Sequence, residues 1–140
     1  MLNSKIENIV LNPAVLNEIH SRIYREIAPL STEVMVTKEP VKFKDRLDYE
    51  YHRIEPGEKW GKLWDCAWFH FTGQADPGYS LEELALVIDL DGEGCVFSPD
   101  GVPLRGITTV KSTFERTLGL PGKVEVPLTE ITGDYNIDIW

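Results

Sequence analysis

The chain has little of what catalysis on a metal, membrane insertion or nucleic-acid binding requires. Its 140 residues contain only two cysteines, Cys66 and Cys95, so no disulfide framework is available and a reducing cytoplasm is the expected compartment. The two do not form a C-x-x-C pair, and the expectation for each is a buried, inert thiol. Basic residues are outnumbered, 14 Lys and Arg against 23 Asp and Glu, for a net charge of −9. They are not clustered, which argues against nucleic acid, where phosphates demand grouped cations. No apolar run approaches the length of a membrane span. The start, MLNSKIENIVLNP, lacks the basic region and apolar core of a signal peptide. The three histidines, His20, His52 and His70, fall on unrelated segments, with no H-x-D or H-E-x-x-H pattern. A zinc site needs three or four converging ligands, so none is expected here. No G-x-S-x-G elbow and no phosphate loop occurs either.

What the chain does have is an ordinary globular composition, 42% hydrophobic and 26% charged, at a length suited to one domain. Its organisation changes once. Residues 13–30, PAVLNEIHSRIYREIAPL, space Val15, Leu16, Ile19, Ile23 and Ile27 as on one helix face. Asn12 suits the N-cap, Pro13 the first helical position, and Pro29 the end. From about residue 32 the period falls toward two. TEVMVTK, DYEYHRI, AWFHFTGQ, LALVIDL, GCVFSP, KVEVPL and YNIDIW are short runs rich in β-branched and aromatic residues. They are punctuated by the turn sequences PGE, DPG, DGEG, PDG and LPG. Strands at this spacing without helices between them predict a mainly β fold: an antiparallel β-sandwich or jelly roll preceded by an N-terminal α-helix. The expected division is a helical segment over 1–30 and the sandwich over 31–140.

Aromatic residues are concentrated in EKWGKLWDCAWFHFT, where Trp60, Trp64 and Trp68 stand four apart. Trp60-Gly61 follows the EPGE turn, so Trp60 and Trp64 belong to a loop leading into a strand over 67–72. Period two sends Trp68 and His70 to one side of that strand and Ala67, Phe69 and Phe71 to the other. A strand apolar on both faces is usually central and covered on both sides, so this is a core spine. The alternative is a platform for sugar rings, whose apolar faces suit exposed Trp. It requires two coplanar exposed rings beside polar groups such as Asp65, Gln74 or Arg105. His70 reads as a packed strand histidine.

A second constellation lies in DLDGEGCVFSPD. Asp89, Asp91, Glu93 and Asp100 nearly trace a calcium loop, with Gly94 at its sixth position. The flanks are strand-like rather than helical, so the favoured reading is a hairpin, with strand 84–90, the turn DGEG and strand 95–98.

The joint spacing of these motifs resembles the N-terminal β-rich domain of glycoside hydrolase family 38 α-mannosidases, cytosolic or vacuolar type. The resemblance rests on Trp60, Gly61, Trp64, Trp68 and Phe69, then Glu93, Gly94, Val96, Gly101, Pro103, Gly106 and Ile107. It covers nearly the whole chain and implies a jelly-roll, galactose-binding-like sandwich. It further implies a leading piece of a longer retaining mannosidase, cut before its last segment and the catalytic domain. The alternation Ile137, Asp138, Ile139, Trp140 reaches the last residue without a turn, which fits that expectation and would leave Trp140 bare and the piece prone to self-association. In such enzymes the carboxylate pair and a zinc ion belong to the catalytic domain. No catalytic residue or cofactor therefore carries over to this chain. The implied partners are that catalytic domain and mannose-containing oligosaccharides. Trp60, Trp64, Trp68, Glu93 and Arg105 are the candidates for sugar stacking or interdomain contact.

Overall fold

A computed structural model describes residues 14, 18, 23–108 and 123–140 of the chain. The β-rich character read from the sequence holds. Strand β1, Ser31–Thr37, is followed by a 3-10 helix, Phe43–Asp48, and a two-residue strand β2, His52–Arg53. The longest strand, β3, spans Cys66–Gln74. Then come β4, Ala85–Val87; β5, Glu93–Phe97; β6, Pro103–Thr108; and β7, Glu125–Pro127. A single helical turn α1, Leu128–Ile131, leads to β8, Asn136–Ile139. Among the described residues the main sheet has the order β2-β1-β3-β8, beside two smaller pairs, β4-β7 and β5-β6. Among the described residues every strand pairing is antiparallel.

The core follows from period-two alternation. Ile137 and Ile139 on β8, Val126 on β7, Leu86 on β4 and Val96 on β5 all turn inward and are buried, together with Leu128 at the start of α1. A second cluster gathers Val34, Ile54 and Phe69, and Phe71 and Leu90 pack against both. Burying each such side chain contributes about 1.5–3 kcal/mol.

Three expectations need correction. The run DYEYHRI does not form a strand along its length: it begins in the 3-10 helix and ends in the brief β2. Tyr51 is the reason, since its hydroxyl donates to the Arg46 carbonyl, 3.1 Å away, and closes a compact turn. The segments around 84–90 and 93–97 do not form a hairpin. Asp91 takes φ 54°, its N–H donates to Asp89 Oδ1 at 3.1 Å, and the chain there crosses to a different strand pair. The hairpin is instead β5-β6, closed by the turn over 98–102, in which Ser98 N–H donates to the Val102 carbonyl. Gly101 at φ 83° is required there, because a Cβ would meet the Phe43 ring at 2.7 Å.

The N-terminal helix does not extend to Pro29, since residues 24–30 have no regular structure. Ile23, Tyr24 and Ile27 are exposed, and an unpacked short helix is marginal in water. Ala14, Glu18 and Ile23 are helical, and the remainder of that expected helix lies outside the described residues. Among the described residues no helix is long and apolar enough to cross a membrane.

Candidate functional site: an aromatic cleft and an exposed turn

Strand β3 divides its aromatic residues as the alternation predicts, with Phe69 turned to the core and Trp68 and His70 to the opposite face. The three clustered tryptophans then divide into two that are tied into the fold and one that is exposed. Trp60 is half-buried and stands edge-on to Phe69, with ring centroids 5.4 Å apart and planes at 85°. Its indole N–H donates to the Leu90 carbonyl at 2.9 Å. Trp68 is also half-buried. It donates to the Val41 carbonyl at 2.8 Å and meets Phe43 and Phe97 edge-on at 5.6 and 5.4 Å. Both indoles thus bury their polar end on a loop carbonyl, the usual arrangement for a structural Trp.

Trp64 is the exception. It is 85% exposed, next to Leu63 at 83%. The turn that presents them is pinned. Asp65 N–H donates to the Lys62 carbonyl at 2.9 Å, and Lys62 N–H donates to Asp65 Oδ2 at 3.0 Å. Lys38 pairs with the other oxygen of Asp65. Trp64 itself sits at φ 69°, a left-handed conformation that non-glycine residues adopt at a cost. Hydrogen bonding from Lys38, and next from the Lys62 N–H, holds the Asp65 carboxyl below its ordinary value. Asp134 is likewise held down, first by the Asn136 N–H and then by the Thr132 hydroxyl. Both shifts run opposite to the one a glycosidase general acid needs.

The outer face of β3 carries an unforeseen cluster. Trp140 lies flat on His70, with ring centroids 3.9 Å apart and planes at 6°. Arg46 is buried with its guanidinium between the Phe43 ring, 3.7 Å away, and the Trp140 ring, 4.2 Å away. Trp140 is therefore not left bare, contrary to expectation, because the 3-10 helix folds over it. His70 is packed as expected but also bonded, with Nε2 2.9 Å from Asp138 and Nδ1 4.0 Å from Glu33.

Between β3 and β5 lies a cleft of about 310 Å³, walled by Phe69, Val96, Trp60 and Leu90, with Asp65 and Glu93 among its polar groups. Residues 28–132 match the family model described as the jelly roll domain of α-mannosidase, Ams1-like. The chain belongs to this family. No curated protein matches it significantly.

Within this mannosidase jelly roll the remaining candidates are dispersed. Glu93 opens β5 opposite Thr108 and is exposed. Arg105, on β6, is committed to Glu130, its Nη1 lying 2.7 and 2.6 Å from the two carboxylate oxygens. Gln74 is exposed at the far end of β3. Among the described residues, then, the tryptophans do not form a pair of coplanar exposed rings.

The calcium arrangement fails geometrically. Strand β5 runs between Glu93 and the turn that holds Asp100, and its five residues alone span roughly 13 Å at 3.3 Å per residue. Among the described residues no three His, Cys, Asp or Glu side chains gather as metal ligands, so none fits the zinc that the resemblance implies for the parent enzyme. The cysteines also depart from expectation. Cys66 is half-buried and Cys95 exposed, because the odd positions of β5 face away from the core. Both are free thiols lining the cleft.

The aromatic run was legible as a site candidate. Arg46 was not, because its burial depends on Phe43 and Trp140, distant in sequence.

Proposed function

We propose that this chain is a non-catalytic jelly-roll domain that packs on and supports the catalytic domain of an α-mannosidase, a cytoplasmic enzyme that hydrolyses terminal α-mannosyl residues of oligosaccharides. The carboxylate pair and the zinc ion belong to that catalytic domain. The observation that carries the reading is the division of labour among the tryptophans. Trp60 and Trp68 are committed to the fold, while Leu63 and Trp64 stand out on a pinned turn. Two adjacent exposed apolar side chains on a fixed backbone suit an interface anchor, since a rigid aromatic loses little freedom on docking.

The test is association in trans with the catalytic region of an Ams1-like α-mannosidase. A double substitution, Leu63→Ser with Trp64→Ser, weakens association more than tenfold if the turn is an anchor. Unchanged association in the double variant overturns this assignment. A second reading follows from the same exposed ring: Trp64 as a sugar-stacking residue of a carbohydrate-binding module. It predicts a saturable response to mannose that is lost in Trp64→Ala.

A further inference from the structure

Arg46 is buried, and the rings on either side of its guanidinium are themselves held in place. Trp140 exchanges both backbone bonds with Phe97, N–H to carbonyl at 3.0 Å and carbonyl to N–H at 2.7 Å. His70 covers one face of its ring, and the guanidinium takes the other. Phe43 meets the rings of Trp68 and Phe97 at 5.6 and 5.7 Å, and Gly101 leaves room for it. Phe43, Arg46, Trp140 and His70 thus form one continuous stack. A planar cation between two aromatic faces is attracted by both.

What the stack does not supply is an anion. A guanidinium carries five N–H donors. Nη1 donates to the Phe43 carbonyl at 3.0 Å, whereas Nε is buried and bonds nothing among the described residues. Nη2 is likewise unbonded there but keeps contact with solvent. By contrast, Arg53 and Arg105 each have a carboxylate, Glu55 and Glu130. The acids around Arg46 are engaged elsewhere or turned away. Asp138 and Glu33 meet His70, while Asp45 and Asp48, on the same 3-10 helix, form no ion pair with Arg46.

A buried cation without an anion costs stability, and an apolar side chain of similar volume commonly serves a fold at least as well. The fold alone therefore gives a poor reason for a cation at position 46. Docking gives a better one. A guanidinium already held flat between rings has little freedom left to lose when a partner arrives, and arginine is a favoured centre of protein interfaces for that reason. Beside it, Leu47 is 64% and Tyr49 46% exposed, an apolar surround that a protein would cover and a free carboxylate would not.

We propose that Arg46, with Leu47 and Tyr49 around it, is a docking surface for an acidic side chain of the catalytic domain, whose carboxylate pairs with the free Nη2. This rests on the support reading above and adds a contact separate from the Leu63–Trp64 turn.

The experiment measures dissociation of the full chain from the catalytic region of an Ams1-like α-mannosidase. The parent is compared with Arg46→Met and Arg46→Leu, and the Tm of each chain alone is recorded. The expected result is a dissociation rate raised at least about tenfold in both variants, with Tm unchanged or higher. An unchanged dissociation rate in either folded variant overturns the proposal and leaves the support reading intact. A clearly lower Tm in both variants overturns it too, because the cation then serves the stack of rings. If the parent itself does not associate, the support reading falls and takes this proposal with it. Self-association of the parent that both variants abolish also overturns it, because the partner is then a second copy.

Discussion

Val126 and Leu128 are 0% and 1% exposed in a cluster of aliphatic side chains, whereas Trp60 and Trp68 keep part of their surface in solvent and end on loop carbonyls. The first region is held by volume: residues alternate inward along short strands, and any apolar side chain of the right size would serve. The second is held by direction. An indole must present its N–H to one carbonyl and its edge to one ring, and the carbonyls come from loops rather than strands. The aromatic region therefore depends on how the irregular stretches around Val41 and Leu90 are laid, and the aliphatic region does not.

The largest effect is expected where volume rules. Leu128→Ala, at 1% exposure, destabilises by about 3 kcal/mol in urea unfolding, through lost transfer energy and the cavity left behind. Trp68→Phe keeps most of the ring and removes only the bond to the Val41 carbonyl, and costs about 1 kcal/mol in the same assay. Equal costs for the two would erase the distinction between the regions. Trp64→Ala changes stability by less than about 0.5 kcal/mol, since the side chain is 85% exposed and alanine keeps the same Cβ at the left-handed position.

The smallest effect is tied to pH. The Asp65 carboxyl is lowered in the folded state, so its contribution is present above the ordinary carboxylate value and is lost as pH falls through the depressed one. Asp65→Asn should therefore weaken the fold slightly at neutral pH, and the difference from the parent should vanish in acid. A difference that grows in acid would contradict the assignment of Lys38 and the Lys62 N–H as its partners.

The same contrast explains what could be read from the chain. Strands β7 and β8 were legible because Val126 and Ile137 alternate with polar neighbours, and β1, β3 and β5 because Val34, Phe69 and Val96 sit in short runs rich in β-branched and aromatic residues. Strand β6 was not, since Pro103, Arg105 and Gly106 interrupt the pattern and a bulge shifts its register against Val96 and Phe97. In sequence the crossing at Asp89–Asp91 reads as a hairpin, because DGEG carries turn chemistry either way. Only the partner strand, β7 for β4 and β6 for β5, decides between them. For the site, sequence located the tryptophans but could not rank their exposure. Trp64 and Trp68 differ in whether a ring from elsewhere, Phe43 or Phe97, comes to cover them. The stacking of Trp140 on His70 follows from the pairing of β3 with β8, and the burial of Arg46 from the folding of the 3-10 helix against Trp140.

The claim that the aromatic residues serve the fold rather than a ligand is tested most directly by titrating the chain with mannose and α-linked mannobiose while following tryptophan emission. The account predicts no saturable change up to tens of millimolar, roughly the weak end of measurable affinity. A saturable change that Trp60→Ala or Trp64→Ala abolishes in a chain that remains folded would contradict it.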